Sequence, residues 1–197
     1  MAKKNSKSTK KLTGIGAFLT LVLSLAALCL GLFLTNVNQT TWAANNAVGT
    51  SGIMGAILGF GFSKTVPSGG DVPEWATFPG VKSSTADGNM VYTAPSHTGV
   101  MILFILMAAA LILTILALLF KKSKFGALLL VVAGLCLIAS GIMAFFPMQI
   151  CGFESKLTSS FKTGVEYTLG IGSILGGCFG CVGGVLGTGV GAVALLK

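Results

Sequence analysis

Two cysteines separated by two residues form the clearest chemical motif of the chain. Cys178-Phe179-Gly180-Cys181 has the CxxC spacing found in redox and zinc sites. A tetrahedral zinc site needs four Cys or His ligands, and neither a histidine nor a second cysteine pair follows nearby in the sequence. Because both cysteines fall inside a long apolar segment, we interpret them as small packing residues on a glycine-rich helix face.

The other reactive side chains form no second constellation. His97 is the sole histidine, and Asp71 and Glu74 lie in a Pro-rich stretch without a basic or nucleophilic neighbour. General acid–base chemistry needs a positioned pair of titratable groups, and this pattern does not offer one. Cys151 is interpreted as a free thiol or an intermolecular bridge. The sequence therefore predicts no catalytic residue, no metal site and no cofactor, so we expect a protein that is not an enzyme.

The composition indicates an integral membrane protein. The 197 residues are 53% hydrophobic and only 9% charged, with a mean hydropathy of +0.90. Soluble domains carry about a quarter charged residues. All thirteen basic residues are Lys, and the Arg clusters interleaved with aromatic residues that are typical of nucleic-acid binders are absent. The net charge of +8 therefore does not predict a nucleic-acid partner.

Four segments are long and apolar enough to span a bilayer, which takes about 20 apolar residues. We predict an all-α integral membrane fold, a four-helix transmembrane bundle, with spans at residues 14–34, 98–120, 125–146 and 169–196. A Lys-rich tail at 1–13 precedes the first span. The spans are joined by a loop at 35–97, a turn at 121–124 and a second loop at 147–168.

The distribution of lysines predicts the orientation. One side of the predicted membrane carries nine Lys and no acidic residue, whereas the other carries four Lys and five acidic residues. Positively charged loops stay in the cytoplasm, so both termini are predicted to be cytoplasmic. We further expect the membrane to be the plasma membrane of a bacterial cell. The lysines expected to contact anionic lipids of the inner leaflet are Lys3, Lys4, Lys7, Lys10, Lys11, Lys121, Lys122 and Lys124.

The first outer loop, 35–97, is predicted to hold structure of its own. Gly52 to Phe62 is apolar but too short to span, so it is read as an interfacial or re-entrant helix, or as a segment packed over the end of the bundle. Trp75 to Phe78 and Asn89 to Thr93 are short strand-like pieces next to Pro79-Gly80 and Asp87-Gly88 turn signals. These pieces predict a small β-hairpin.

The fourth span is unusually rich in glycine. Ten glycines fall between residues 170 and 191, and small residues let neighbouring helices approach closely in a membrane. The spacing predicts a glycine zipper that packs against helices of its own bundle or against the same helix of another subunit. The predicted packing residues are Gly172, Gly176, Gly180, Gly184, Gly187 and Gly191.

The predicted function follows from packing rather than chemistry. The four spans contain no ionisable Asp, Glu, Lys or Arg, which counts against an ion-driven carrier. The layout resembles that of claudin-like and other tetraspan proteins, but the loops lack the cysteine motifs of those families. We predict a structural, scaffold or assembly subunit that acts through its glycine face and outer loops, as a homo-oligomer or with other membrane-protein subunits. The alternative is a pore or channel subunit formed by oligomerisation.

Overall fold

The structure is a computed structural model that describes residues 2–41, 46–51, 62–71, 82–94, 98–146, 150 and 165–196. In chain order its elements are α1 (Ala2–Phe33), β1 (Thr35–Thr41), β2 (Asn46–Ser51), β3 (Phe62–Val66), β4 (Lys82–Ala86), β5 (Asn89–Ala94), α2 (Thr98–Leu119), α3 (Lys124–Ala144), β6 (Val165–Leu169) and α4 (Ile171–Leu196).

The prediction of four long apolar helices is confirmed. Residues Thr13–Phe33 of α1 and the whole of α2, α3 and α4 are long and apolar enough to cross a membrane, which indicates a multi-pass membrane protein. The helix of the first span begins much earlier than residue 14, since α1 starts at Ala2. The fourth begins at Ile171 rather than at 169, because Val165–Leu169 forms a strand.

The helices bury mostly small side chains and expose most of the large ones, unlike a soluble bundle; Met107, Leu130 and Leu137 are large apolar side chains that are fully buried. In α4 all the buried residues are glycines except Ser173. From Thr13 onward, where burial is described, the buried positions of α1 are also small: Thr13, Gly16, Ala17, Thr20, Ser24, Ala27 and Gly31. Large apolar side chains such as Phe18, Ile112 and Val185 are more than half exposed. Such a surface is suited to lipid, which requires no polar cover.

Two compact units make up the chain. The first, here called the helical unit, contains Met1–Gly31, Leu103–Phe145 and Ser173–Lys197. The second, here called the β unit, contains Leu32–Ile102 and Phe146–Gly172. Within the most apolar stretch of each helix, the buried share of the residues is largest in α3, at 44%, and smallest in α2, at 22%. The helix α3 is therefore the central one and α2 is peripheral.

The β unit holds two three-stranded antiparallel sheets, so the fold is mostly helical but not all-α as predicted. One sheet has the order β2-β1-β6, and Gln39 of β1 lies between Val48 of β2 and Tyr167 of β6. The sequence of β1, TNVNQTT, is polar and lacks an apolar alternation, so it carries no strand signal. Its partner β6 comes from the second loop, and a single sequence gives no sign of such a distant pairing.

The second sheet has the order β3-β5-β4 and contains the predicted hairpin in a different form. The strand expected at Asn89 to Thr93 is part of β5, but β3 and β4 occupy both of its edges. The partner of β5 across the turn is β4, and the other predicted piece, Trp75 to Phe78, lies outside the described residues. Asp87 and Gly88 form the turn, with φ angles of 50° and 76°. Two positive φ angles are those of a type I′ hairpin turn.

The short helix predicted at Gly52 to Phe62 is the remaining expectation for this loop. Residues 52–61 lie outside the described residues, and Phe62 begins strand β3.

Candidate helix-packing site

The glycines of α4 contact two helices of the same chain. The Cβ position of Gly176 lies 3.3 Å from the carbonyl oxygen of Ala27 in α1, and that of Gly180 lies 3.3 Å from the carbonyl oxygen of Leu137 in α3. Gly187 contacts both helices, because its Cβ position is 3.0 Å from Thr20 Cγ2 in α1 and 3.4 Å from the Cα of Gly134 in α3. The glycine-rich face of α4 is therefore covered by α1 and α3.

Small residues at seven-residue intervals form the contact between α3 and α4. The two helices are antiparallel, so successive contacts run in opposite directions along the sequence. The pairs are Ala127 with Gly191, Gly134 with Gly184, and Gly141 with Gly177. A seven-residue interval returns to the same helix face after two turns. This interface, here called the α3–α4 interface, therefore extends along most of both helices.

The middle pair of this interface brings backbone against backbone. A Cβ on Gly134 would lie 2.6 Å from the carbonyl oxygen of Gly184, and a Cβ on Gly184 would lie 2.6 Å from that of Gly134. In glycine a hydrogen occupies this position, so each Cα–H points at the carbonyl of the other helix. Such contacts recur at helix–helix interfaces and contribute about 0.5–1 kcal/mol each. Gly141 and Gly177 repeat the arrangement, at 3.0 Å in both directions.

The contact between α1 and α4 is formed by side chains that fit over glycine. A Cβ on Gly16 of α1 would lie 2.6 Å from Cγ1 of Val190 in α4. In the opposite direction, a Cβ on Gly183 of α4 would lie 2.9 Å from Cβ of Leu23 in α1. Val190 also packs against a small cluster of Ala17, Ala117 and Leu130, so all four helices meet here.

Buried hydroxyls in the helical unit are mostly bonded within their own helices. Thr20 Oγ1 donates to the carbonyl of Gly16 at 2.9 Å, and Thr114 Oγ1 donates to that of Ala110 at 2.7 Å. Ser24 and Ser140 donate in the same way to residues three positions earlier. Among the described residues, Thr188 Oγ1 is the one buried side-chain oxygen or nitrogen without a hydrogen-bond partner. It lies beside the Cβ position of Gly134 in α3.

The structure brings five of the six predicted packing glycines against neighbouring helices, namely Gly176, Gly180, Gly184, Gly187 and Gly191. Gly172 is buried in the first turn of α4. Their role in assembly stays a prediction. Sequence reasoning missed the partner residues Gly16, Gly134 and Gly141. Gly134 and Gly141 are seven residues apart in α3, which is a packing signal. It differs from the four-residue glycine repeat of the fourth span, on which the prediction depended.

The residues singled out for chemistry are not brought together. Cys178 is exposed on α4, and Cys181 lies beside Gly141 of α3, where its sulfur is 2.9 Å from the Cβ position. Within the described ranges, no three His, Cys, Asp or Glu residues are close enough to hold a metal ion. Asp71 is exposed in the β unit, while Glu74, His97 and Cys151 lie outside the described residues.

The predicted lipid-facing lysines fall into two groups. Lys3, Lys4, Lys7, Lys10 and Lys11 belong to the first turns of α1. Lys121, Lys122 and Lys124 lie at the turn between α2 and α3, and all three are exposed.

Neither a protein-family model nor a curated protein sequence matches the chain.

Proposed function

We propose that the chain is a non-enzymatic structural or assembly subunit of a membrane complex. In this proposal the helical unit is a rigid anchor, and the β unit makes the contacts with a partner or a second copy. The observation that supports it best is the backbone contact of α4 with α3, where Cβ positions of the paired glycines lie as little as 2.6 Å from carbonyl oxygens. Packing this close favours a fixed bundle over one that rearranges.

The proposal places both termini in the cytoplasm of a bacterial cell, with the β unit outside. The support is the asymmetry of charge, since nine of the thirteen lysines fall on the side of the termini and of the α2–α3 turn. Lysines in short loops near the ends of spans set the orientation.

The second sheet offers a polar surface for contacts. Val66 and Tyr92 are 6% and 9% exposed and lie on one face of this sheet. Val91 lies on the other face, in register with one residue of each edge strand. Thr65 and Ser84 flank Val91 on the opposite face, and both are exposed. This exposed face is here called the hydroxyl face. We propose it as the part of the β unit that contacts a partner.

Light scattering of the full chain, purified in mild detergent from native membranes, tests this function. We expect a particle heavier than the 20.0 kDa monomer after correction for detergent, with a fixed stoichiometry. The variant with both Thr65→Lys and Ser84→Lys should lower the mass of the particle, because two charges would have to be desolvated in the contact. Asp71→Lys, at an exposed residue outside the strands, is the matched control. A strict monomer without a co-purifying chain would contradict the proposal.

Planar-bilayer recording separates this function from the alternative of a pore. The hydroxyls of Thr20, Ser24, Thr114 and Ser140 already donate to carbonyls of their own helices, which gives no support to a hydroxyl-lined path. We expect no unitary conductance from the purified protein. Reproducible single-channel currents would favour the pore and contradict a purely structural role.

A further inference from the structure

The turn between α2 and α3 concentrates positive charge. Lys121, Lys122 and Lys124 are all exposed, and the turn contains no acidic residue. The first turn of α3 contains no acidic residue either. Lys124 is the first residue of α3, where the helix dipole disfavours a cation. The three charges are therefore left without a compensating group in their own segment.

Hydrogen bonds of Ser123 hold this turn in one shape. Its backbone N–H and its hydroxyl both donate to the carbonyl of Phe120, each at 2.9 Å. Its hydroxyl oxygen also accepts the N–H of Gly126 at 3.1 Å and so caps α3. Gly126 is required for this closure, because a Cβ there would collide with the carbonyl group of Phe120. The lysines are therefore attached to a fixed backbone rather than to a mobile loop.

Two exposed aromatic rings flank the lysines. Phe120 is 47% exposed and Phe125 is 55% exposed, and their ring centroids are 5.6 Å apart in an edge-to-face arrangement. An apolar ring pair beside a cluster of ammonium groups matches the boundary of a bilayer, where acyl chains meet phosphates. A soluble anion would engage the lysines alone, and the rings would take no part in binding it.

We propose that the segment Phe120–Phe125, here called the basic turn, binds the headgroup phosphate of an anionic phospholipid. The lysine ammonium groups contact the phosphate, and the two phenylalanine rings contact the first carbons of the acyl chains. This proposal requires the multi-pass membrane character of the chain and is independent of the structural function proposed above. A failure of either leaves the other standing.

Native mass spectrometry of the full chain in detergent tests the proposal, with phosphatidylglycerol and phosphatidylcholine as the titrated lipids. We expect phosphatidylglycerol to bind more tightly. The variant Lys121→Gln, Lys122→Gln, Lys124→Gln should lose on the order of 100-fold in affinity for it, because each lysine near an anionic surface contributes about five-fold. Binding of phosphatidylcholine should change little. Replacing the same lysines with arginine keeps the charge and should keep the preference.

The control is Lys64→Gln with Lys82→Gln, which removes two lysines from strands β3 and β4 of the β unit. An equal loss in this control, or equal binding of the two lipids by the unchanged chain, would overturn the proposal. Inorganic phosphate distinguishes the source of the anion. Displacement of the lipid by millimolar phosphate would show a site for a free anion and would also overturn it. Phe120→Ala with Phe125→Ala should lower the affinity for both lipids by the same factor. Unchanged affinity would contradict the role assigned to the rings.

Discussion

Replacing Gly184 with alanine should force α3 and α4 apart. The new Cβ would lie 2.6 Å from the carbonyl oxygen of Gly134 and 2.8 Å from the backbone nitrogen of Ile138. Ordinary contact begins at 3.4 Å, so the shorter distance falls 0.8 Å short of it. Because both groups belong to the backbone of α3, no side chain can turn away to make room. The helices must separate, and the contacts above and below must loosen with them.

The magnitude follows from a comparison with a second glycine of the same helix. Overpacking a tight interior typically costs about 1–3 kcal/mol. Alanine also gains about 0.8–1.0 kcal/mol in helix propensity over glycine, which partly masks this cost. Gly189→Ala is the matched control, because its Cβ would have no atom within 4 Å and the variant receives the propensity gain alone. The difference between the two variants therefore isolates the packing cost.

Unfolding of the two variants by sodium dodecyl sulfate, followed by circular dichroism, gives their free energies of unfolding. We expect Gly184→Ala to be less stable than Gly189→Ala by about 1–3 kcal/mol. Agreement of the two within about 0.5 kcal/mol, the usual range for surface substitutions, would refute the close backbone contact between α3 and α4.

Three further outcomes are expected. Gly16→Ala should lower the melting temperature in detergent, because its Cβ would lie 2.6 Å from Val190 Cγ1, while Gly14→Ala, with no atom within 4 Å, should not; equal melting temperatures would contradict the contact. Ser123→Ala should destabilise the chain by about 0.5–2 kcal/mol through loss of the α3 cap, and Ser123→Gly by only a few tenths, measured by the same unfolding titration. Gly88→Val should cost about 1–3 kcal/mol, since its φ of 76° strains a β-branched residue, and should speed amide exchange in β4 and β5; unchanged exchange would argue against this turn.

The spans were predictable because a bilayer imposes a simple requirement. About 20 uncharged apolar residues must occur in a row, and lysines mark where such a run ends. The start of the second span, Thr98, was predicted to the residue. The fourth was misjudged by two residues at its start, because Leu169 is apolar enough for a span yet pairs with Val37 in a sheet.

The sheets were less predictable because their pairings are distant or weakly patterned. The Asp87-Gly88 turn was readable from its residue types, and it does close a hairpin. The strand before it, KSSTA, has no apolar alternation, so the sequence carries no signal for it.

The partners of the glycine-rich helix were visible only in part. The glycines of α4 stand out by number, whereas α3 has three glycines, of which Gly134 and Gly141 contact α4. In α1 the small face mixes glycine with alanine, serine and threonine, for example Gly16, Ala27 and Ser24. A pattern spread over four residue types is recognisable once burial is known, but it is easily missed among the many apolar residues of a span.

Formation of a disulfide between α1 and α4 tests most directly whether the glycine face is covered by the chain's own helices. The pair for this test is Thr20→Cys with Gly187→Cys, in a background without the native cysteines. The Cβ position of residue 187 lies 3.0 Å from Cγ2 and 3.3 Å from Oγ1 of Thr20, the two positions that a cysteine sulfur could take there. Disulfide geometry requires about 3 Å for this separation. We expect oxidation to crosslink residues 20 and 187 within one chain, and Thr20→Cys with Gly189→Cys to stay reduced. Single-cysteine variants, Thr20→Cys and Gly187→Cys, are mixed as a comparison. A crosslink that forms between these two chains, but not within the chain that carries both cysteines, would contradict the account.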